Sequence, residues 1–217
     1  METDAAKILI QFAHAPVLAL GPGRRAGIWL RGCSIHCPGC MSDALWSFDR
    51  SYEKPVSEAA KEILAFFESD GSLDGVTVSG GEPFDQGEAV VDLLKKLRAG
   101  GVRDILIYTG YGVDSVCARF PEIGDLAAAM VDGPFKLGRE TEAGWKGSAN
   151  QTLRVFADEF AGRYKRWQRT KKGKLQMAVS MGRVISVGIP RQKDVPNILA
   201  MVAARALEEA GNDGGYK

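Results

Sequence analysis

The stretch GVTVSGGEP at residues 75–83 decides the fold class of this 217-residue chain. Residues 75–79 form a short apolar run rich in β-branched side chains, which predicts a buried strand ending at Gly80 and Gly81. A helix is predicted from about Gln86, because apolar side chains recur there at helical spacing until two glycines stop it. A strand followed directly by a helix is typical of a parallel βαβ unit.

The same alternation extends in both directions along the chain. Upstream, residues 26–30 predict a strand, and Ser57 is predicted to cap a helix that ends near Asp70. Downstream, residues 105–108 and 128–132 predict two further strands. The sequence therefore predicts an α/β fold with parallel strands.

The last third of the chain has a different pattern. Residues 151–156 alternate like a strand, and residues 175–187 predict an antiparallel β-hairpin. A terminal helix is predicted from residue 194 to about residue 210. We therefore divide the chain into a core, residues 1–157, and a C-terminal appendage of hairpin and helix, residues 158–217.

The composition is that of an ordinary globular chain, with 45% hydrophobic residues, 25% charged residues and a net charge of +1. This near-neutral charge excludes a strongly basic nucleic-acid coat, so nucleic acid is not an expected partner. The apolar run from Ile8 to Leu20 is interrupted by polar residues and is shorter than the ~20 residues of a spanning helix, so no membrane contact is predicted. Four cysteines are too few for a disulfide scaffold, and we expect a protein of the reducing cytoplasm.

Three of those cysteines, Cys33, Cys37 and Cys40, form a C-x3-C-x2-C pattern. This spacing is typical of metal ligands, because a single short loop can turn three thiolates toward one centre. Three thiolates leave one position of a four-iron cluster open, whereas structural zinc requires a fourth ligand, for which His36 is the candidate. Cys117, much later in the chain, is expected to be a buried apolar residue.

The turn Gly80-Gly81-Glu82-Pro83 has two interpretations. It follows a predicted parallel strand, at the edge of the sheet where ligands bind in α/β folds, and its carboxylate suits a protonated amine. Alternatively, the glycines only supply the backbone freedom of a strand-to-helix turn. The cysteine pattern after the preceding strand favours the ligand-binding interpretation.

These two motifs together resemble those of the radical S-adenosylmethionine superfamily. The narrower resemblance is to activating enzymes of glycyl radical proteins, and especially to the anaerobic ribonucleotide reductase activase type. It covers about residues 8–156 and implies, for a chain this short, an incomplete parallel (β/α) barrel, since a closed one needs ~250 residues. The segments that carry it are GPGRR (21–25), RGC (31–33), CPGC (37–40), VDGPF (131–135) and GSANQ (147–151).

The resemblance implies that the three cysteines of the pattern hold a [4Fe-4S] cluster whose fourth iron binds S-adenosyl-L-methionine. The turn at residues 80–83 would hold the methionine amine of that cofactor. An electron from the cluster would then cleave the cofactor to methionine and a 5′-deoxyadenosyl radical.

Four later residues are candidates for contacts with the adenosyl part of that cofactor. Thr109 and Gly110 end a predicted strand on the same face, with a plain strand cap as the alternative. Asp132 and Asn150 end later elements and are candidates for ribose or adenine contacts. The alternative for this second pair is that they satisfy loop backbone groups.

Three functional hypotheses follow. The first is an activase that abstracts a hydrogen atom from a glycine of a partner such as anaerobic ribonucleotide reductase, with a low-potential flavodoxin or ferredoxin as electron donor. The second is a radical S-adenosylmethionine enzyme that modifies a small molecule or a peptide. The third is a non-catalytic zinc scaffold that uses the three cysteines and His36.

Two basic segments remain outside these motifs. The run from Arg163 to Lys174 interleaves basic residues with Tyr164 and Trp167, and it is expected to be a solvated helix face, with a docking surface as the alternative. Arg24 and Arg25 precede a predicted strand and are expected to be surface charges, with contact to a carboxylate as the alternative.

Overall fold

The computed structural model describes residues 6–171, 175–180, 183–191, 196–197 and 200. Its strands are β1 (Lys7–Val17), β2 (Arg25–Leu30), β3 (Glu53–Pro55), β4 (Gly75–Gly80), β5 (Ile105–Tyr108), β6 (Ala129–Asp132), β7 (Thr152–Val155), β8 (Gln176–Ser180) and β9 (Arg183–Val187). Its α-helices are α1 (Val56–Ser69), α2 (Gly87–Ala99), α3 (Val113–Arg119), α4 (Ile123–Leu126) and α5 (Ala161–Trp167).

Seven strands form one sheet in the order β3-β1-β2-β4-β5-β6-β7. The four central strands, β2, β4, β5 and β6, are parallel, whereas β1, β3 and β7 join antiparallel. The predicted α/β class is therefore confirmed, with a mixed sheet built around a parallel centre. The carboxyl ends of the central strands meet at one edge, which is where such folds bind ligands.

Strand β1 is the longest element that the sequence analysis did not predict. Its residues are mostly half-buried, and its pairing with β2 shifts register between Ile10 and Phe12 and again between His14 and Val17. These irregularities interrupt the two-residue alternation by which a strand is recognised. The apolar run that begins at Ile8 is therefore a strand of the sheet.

Helices α1 and α2 cover one face of the sheet and build the main core. Helix α1 begins at Val56 with Pro55 as its N-cap, so the prediction that Ser57 caps this helix is wrong. A short 3-10 turn over Pro83–Gln86 precedes α2 and changes the chain direction after β4. The core side chains they contribute are Val56, Ala59, Ala60 and Ile63 from α1 and Val90, Val91, Leu93, Leu94 and Leu97 from α2.

The C-terminal segment covers the opposite face of the sheet. Tyr164 and Trp167 of α5 are buried in an apolar cluster with Leu106 of β5 and Trp145. The predicted hairpin strands are the antiparallel pair β8 and β9, and Val187 packs with residues of β1 and β2 in a further cluster. The division at residue 157 stays a prediction.

Two predictions for the C-terminal segment fall largely beyond what the structure describes. The hairpin turn at residues 181–182 lies outside the described residues, as does almost all of the predicted helix from residue 194 to 210. In the described ranges, no helix has both the length and the apolar character needed to cross a membrane.

Candidate functional site

The cysteine loop, residues 33–40, follows directly from the carboxyl end of β2. Its first residues are fixed by the segment that comes after it: Gly32 N donates to Leu45 O at 2.7 Å, and Cys33 N donates to Trp46 O at 3.0 Å. The loop is therefore closed at its base by backbone hydrogen bonds. All three predicted ligands consequently lie at the ligand-binding edge of the sheet.

The thiols of this loop have the surroundings of metal ligands. All are free cysteines, and Cys33 is buried. Burial raises the pKa of the Cys33 and Cys40 thiols, whereas the hydrogen bonds that backbone N–H groups donate to their sulfurs lower it. These donors are Ile35 and His36 for Cys33, and Ser42, at 3.4 Å, for Cys40. Three free thiols on one loop, two of them with backbone donors, are compatible with the thiolate set that an iron–sulfur cluster requires.

The Gly80–Pro83 turn is hydrogen-bonded to the base of the cysteine loop. Gly81 N donates to Leu30 O at 2.8 Å, and Glu82 N donates to Gly32 O at 2.8 Å. The two backbones are so close that a Cβ atom on Gly81 would overlap the carbonyl oxygen of Gly32. The structure thus joins the two sequence motifs through their main chains.

Gly81→Ala is expected to destabilise the protein by about 1–3 kcal/mol, because the new methyl group pushes against backbone rather than against a movable side chain. Urea unfolding of the metal-free protein would measure this loss. Gly71→Ala is the matched control, since nothing lies within 4 Å of a Cβ at that exposed turn. Equal unfolding midpoints for the two variants would contradict the close approach.

The Glu82 carboxylate connects the turn to the end of β5. Its Oε1 accepts from Thr109 Oγ1 at 2.7 Å and from Phe84 N at 3.0 Å, and its Oε2 accepts from Gly110 N at 2.7 Å. The residue is 2% exposed, and burial raises the pKa of its carboxyl group despite these donors. Thr109 and Gly110 are thereby brought together with the turn, as the sequence predicted. Oε2 retains one lone pair for a further donor.

The side chains of Asp132 and Asn150 form hydrogen bonds with neighbouring segments of the chain. Asp132 Oδ2 accepts from Val113 N at 3.0 Å, at the start of α3, and Oδ1 accepts from the Thr152 hydroxyl. Asn150 Nδ2 donates to Pro134 O at 2.8 Å. Asn150 thus satisfies a loop backbone group, which was the alternative considered for it, whereas Asp132 bonds to the first residues of α3 and β7. Contact of either side chain with a cofactor stays a prediction.

Asp85 and Tyr111 hold the cysteine loop from the other side, and sequence reasoning missed them. Asp85 Oδ2 accepts from Ser34 N at 2.6 Å, and its Oδ1 accepts from Ser34 Oγ at 2.9 Å. The Tyr111 hydroxyl donates to Asp85 Oδ1 at 2.7 Å. The available signal was position, because both residues come within three of a predicted site residue.

Gln86 is a third residue of the site that sequence reasoning missed. Its Nε2 donates to Arg31 O at 2.9 Å, and its Oε1 accepts from Leu9 N at 2.7 Å. One side-chain amide thus ties β1 to the last residues before the cysteine loop. The sequence marked Gln86 only as the approximate start of a helix.

Arg25 contradicts its prediction as a surface charge, because it is fully buried at the amino end of β2. Its guanidinium donates to Asp104 Oδ1 at 3.1 Å and to Thr77 Oγ1 at 2.7 Å. Arg24 is half-exposed and pairs with Asp70 at 2.8 Å.

The basic run near the C-terminus is partly structural. The aromatic side chains Tyr164 and Trp167 are buried, so they are not available for stacking on nucleic acid bases. Arg163 pairs with Asp74 at 2.9 Å and with Asp104 at 3.2 Å. The interpretation of this run as one face of a solvated helix is therefore correct for its exposed residues alone.

Arg163 and two other basic residues of this run line a cavity of about 720 Å³. Arg166 and Lys171 line it together with residues 21–23, the loop that precedes β2. This cavity lies at the amino ends of the parallel strands. It is therefore remote from the cysteine loop.

The zinc alternative has no support from the geometry of its fourth ligand. The His36 ring lies over the Trp46 ring, with centroids 4.8 Å apart. Within the described ranges, no group of three or more His, Cys, Asp or Glu side chains is placed to hold a single metal ion.

Comparison with known proteins identifies the family. Residues 19–154 match the model of the 4Fe-4S single cluster domain. The anaerobic ribonucleoside-triphosphate reductase-activating protein of Escherichia coli K12 is 31% identical over 140 residues, which is 61% of this chain and 89% of that protein. The protein of the same name from enterobacteria phage T4 is 29% identical over 136 residues, 61% of this chain and 85% of the phage protein. Pyruvate formate-lyase-activating enzyme of Clostridium pasteurianum is 34% identical over 95 residues, 42% of this chain and 39% of that enzyme.

The class of radical S-adenosylmethionine proteins is defined by a sheet with a parallel centre, at whose carboxyl edge a three-cysteine loop meets a Gly-Gly-Glu-Pro turn. The relatives place this chain among the proteins of activase type. The chain belongs to the 4Fe-4S single cluster domain family. The family match ends at residue 154, so α5 and the hairpin lie outside it.

Proposed function

We propose that the protein is a radical S-adenosylmethionine activase that installs a glycyl radical on a partner protein such as an anaerobic ribonucleotide reductase. The observation that carries this proposal is the main-chain pairing of the Gly80–Pro83 turn with the cysteine loop at one edge of the sheet. These hydrogen bonds join the proposed cluster ligands and the proposed cofactor-binding turn in one unit.

Cys33, Cys37 and Cys40 would hold the [4Fe-4S] cluster. When bound, the cluster supplies the electron that cleaves S-adenosyl-L-methionine to methionine and a 5′-deoxyadenosyl radical. Asp85 and Tyr111 fix the backbone at Ser34, so the loop keeps its shape while the cluster is inserted.

The Gly80–Pro83 turn would bind the methionine end of the cofactor. Two donors already occupy Glu82 Oε1, and one occupies Oε2, so Oε2 is the acceptor that remains for an ammonium group. Because Thr109 and Gly110 hold the same carboxylate, they orient it and border the position of the bound cofactor. Asp132 and Asn150 are proposed as more distant contacts of the adenosyl group.

The seven-stranded sheet supports the incomplete barrel that the resemblance implies. In the described part of the chain, β3 and β7 are its two edge strands and do not pair with each other. The cysteine loop and the Gly80–Pro83 turn both lie at the carboxyl ends of the parallel strands. A partner protein must therefore approach from that end of the sheet. A low-potential flavodoxin or ferredoxin would supply the electron.

Anaerobic reconstitution tests this function. Protein loaded with iron and sulfide, then reduced in the presence of S-adenosyl-L-methionine, is expected to form 5′-deoxyadenosine. Addition of anaerobic ribonucleoside-triphosphate reductase is expected to give the electron paramagnetic resonance doublet of a glycyl radical. Formation of 5′-deoxyadenosine without any glycyl signal would favour the small-molecule or peptide substrate, and zinc without iron would contradict the proposal as a whole.

A further inference from the structure

The cavity of about 720 Å³ at the amino ends of the parallel strands plays no part in the proposed function. Its volume falls within the range of ~300–1,000 Å³ that is typical of small-molecule sites. The loop at residues 21–23, helix α5 and the residues that follow this helix contribute to its walls. The proposed cluster and cofactor lie at the opposite, carboxyl ends of the strands. A ligand in this cavity would therefore occupy a second site of the protein.

The charge of this cavity is positive and unbalanced. Nearby carboxylates are already paired, and the pairs are Arg24 with Asp70 at 2.8 Å, Arg25 with Asp104 at 3.1 Å and Arg163 with Asp74 at 2.9 Å. Arg166 and Lys171 line the cavity and are exposed, and within the described ranges neither of them forms an ion pair. No acidic residue is among the described residues that line it. The described part of the chain thus leaves two cations of the cavity without a counter-ion.

Both cations lie on backbone that other contacts hold in place. Helix α5, which carries Arg166, is anchored by two buried aromatic side chains. After the helix, Gly144 N donates to Thr170 O at 2.8 Å, and Ala143 forms a β-bridge with Lys171. Because the two segments are fixed before a ligand arrives, less conformational entropy is lost on binding.

Two unpaired cations of different kinds favour a phosphate-bearing ligand. A guanidinium donates to phosphate oxygens through two parallel N–H groups, and an ammonium group attracts the same oxygens as a point charge. A single carboxylate would balance only one of the two charges, whereas adjoining phosphate groups balance both. The charges of Arg166 and Lys171 therefore favour a polyphosphate.

The lining also includes apolar side chains, which favour an organic phosphate over an inorganic one. Leu18, Trp167 and Ile189 line the cavity, and Leu18 is 49% exposed although its side chain is large and hydrophobic. Inorganic phosphate would leave this surface in contact with water. A ligand with a heterocyclic base beside its phosphates would remove the same surface from water, which is favourable.

We propose that this cavity binds a nucleoside polyphosphate, with its phosphate groups at Arg166 and Lys171 and its base against Leu18. Both cations lie beyond residue 154, where the family match ends. The site therefore belongs to the C-terminal segment of this chain rather than to the family domain. It is a binding site additional to the proposed function and does not depend on it.

Isothermal titration calorimetry of the metal-free full-length chain with ATP as the probe tests this proposal. The wild type is expected to bind ATP. Arg166→Ala and Lys171→Ala should each weaken binding at least about tenfold, because each removes a charge-assisted contact with phosphate. Both residues are exposed, so the substitutions should leave the fold intact.

Lys165→Ala and Arg169→Ala are the matched controls for charge. Each removes one positive charge from an exposed residue of the same segment that does not line the cavity, so ATP affinity should match that of the wild type. An equal loss in all four variants would show general attraction of an anion to the basic run and overturn the proposal. Absence of ATP binding by the wild type, or unchanged binding in both lining variants, would also overturn it.

Inorganic tripolyphosphate distinguishes a nucleotide from a phosphate group alone. The wild type is expected to bind ATP more tightly than tripolyphosphate, since only ATP covers the apolar lining. Leu18→Ala should weaken the binding of ATP and leave that of tripolyphosphate unchanged. Equal affinity of the wild type for the two probes would overturn the assignment of a nucleotide.

Discussion

Cys37→Ala is expected to abolish 5′-deoxyadenosine formation and the broad visible absorbance of a reconstituted cluster, while the protein stays folded. The reason is that the substitution leaves two thiolates for four irons. Loss of a residue that orients a metal ligand lowers metal affinity or activity about 10–100-fold. Loss of a ligand itself should therefore lower the rate of S-adenosyl-L-methionine cleavage at least about 100-fold. Iron and sulfide analysis, absorbance and chromatographic detection of 5′-deoxyadenosine give three separate measurements.

The fourth cysteine supplies the control. Cys117 lies on α3, half-buried against the main core, and burial raises the pKa of its thiol. Cys117→Ala should therefore keep the cluster and its activity, with only a small loss of packing energy. If Cys37→Ala retained full iron content and cleavage activity, the loop would not be the cluster site.

The sequence allowed the meeting of the two motifs to be predicted because it depends on topology rather than on side-chain detail. Residues 26–30 and 75–79 were predicted as consecutive strands of a parallel sheet, and parallel strands direct their carboxyl ends to one edge. The cysteine loop and the Gly80–Pro83 turn follow those two ends. Their contact thus followed from the order of the elements, and the backbone hydrogen bonds supply its detail.

Contacts between residues far apart in sequence were beyond this kind of prediction. Arg25 and Asp104 are 79 residues apart, and no local pattern around either of them marks it as buried. Charged residues are usually exposed, so Arg25 was placed at the surface. Asp85 was overlooked for a related reason, because its hydrogen bonds to Ser34 and Tyr111 arise only when three loops meet.

The second large effect is expected at the buried ion pair between Arg25 and Asp104, at the amino ends of β2 and β5. The side chains of Arg25 and Asp104 are both 0% exposed and form an ion pair of 3.1 Å. Asp104 Oδ1 also accepts from the Tyr164 hydroxyl at 2.5 Å, and its Oδ2 accepts from Arg163 at 3.2 Å. Burial raises the pKa of Tyr164, which keeps its hydroxyl protonated as a donor. One carboxylate therefore joins the parallel sheet to helix α5.

Asp104→Ala should lower the free energy of unfolding by about 3–5 kcal/mol, because it leaves the Arg25 guanidinium buried without an opposite charge. Urea unfolding of the metal-free protein would measure it, with Glu122→Ala as the control. Glu122 pairs with Lys95 at the surface, where each side chain is about half exposed, and such pairs contribute only ~0–1 kcal/mol. Replacing both partners, Arg25→Met with Asp104→Leu, should recover part of the loss because no charge then stays buried. Equal losses in Asp104→Ala and Glu122→Ala would contradict the larger cost expected for leaving Arg25 buried without an opposite charge.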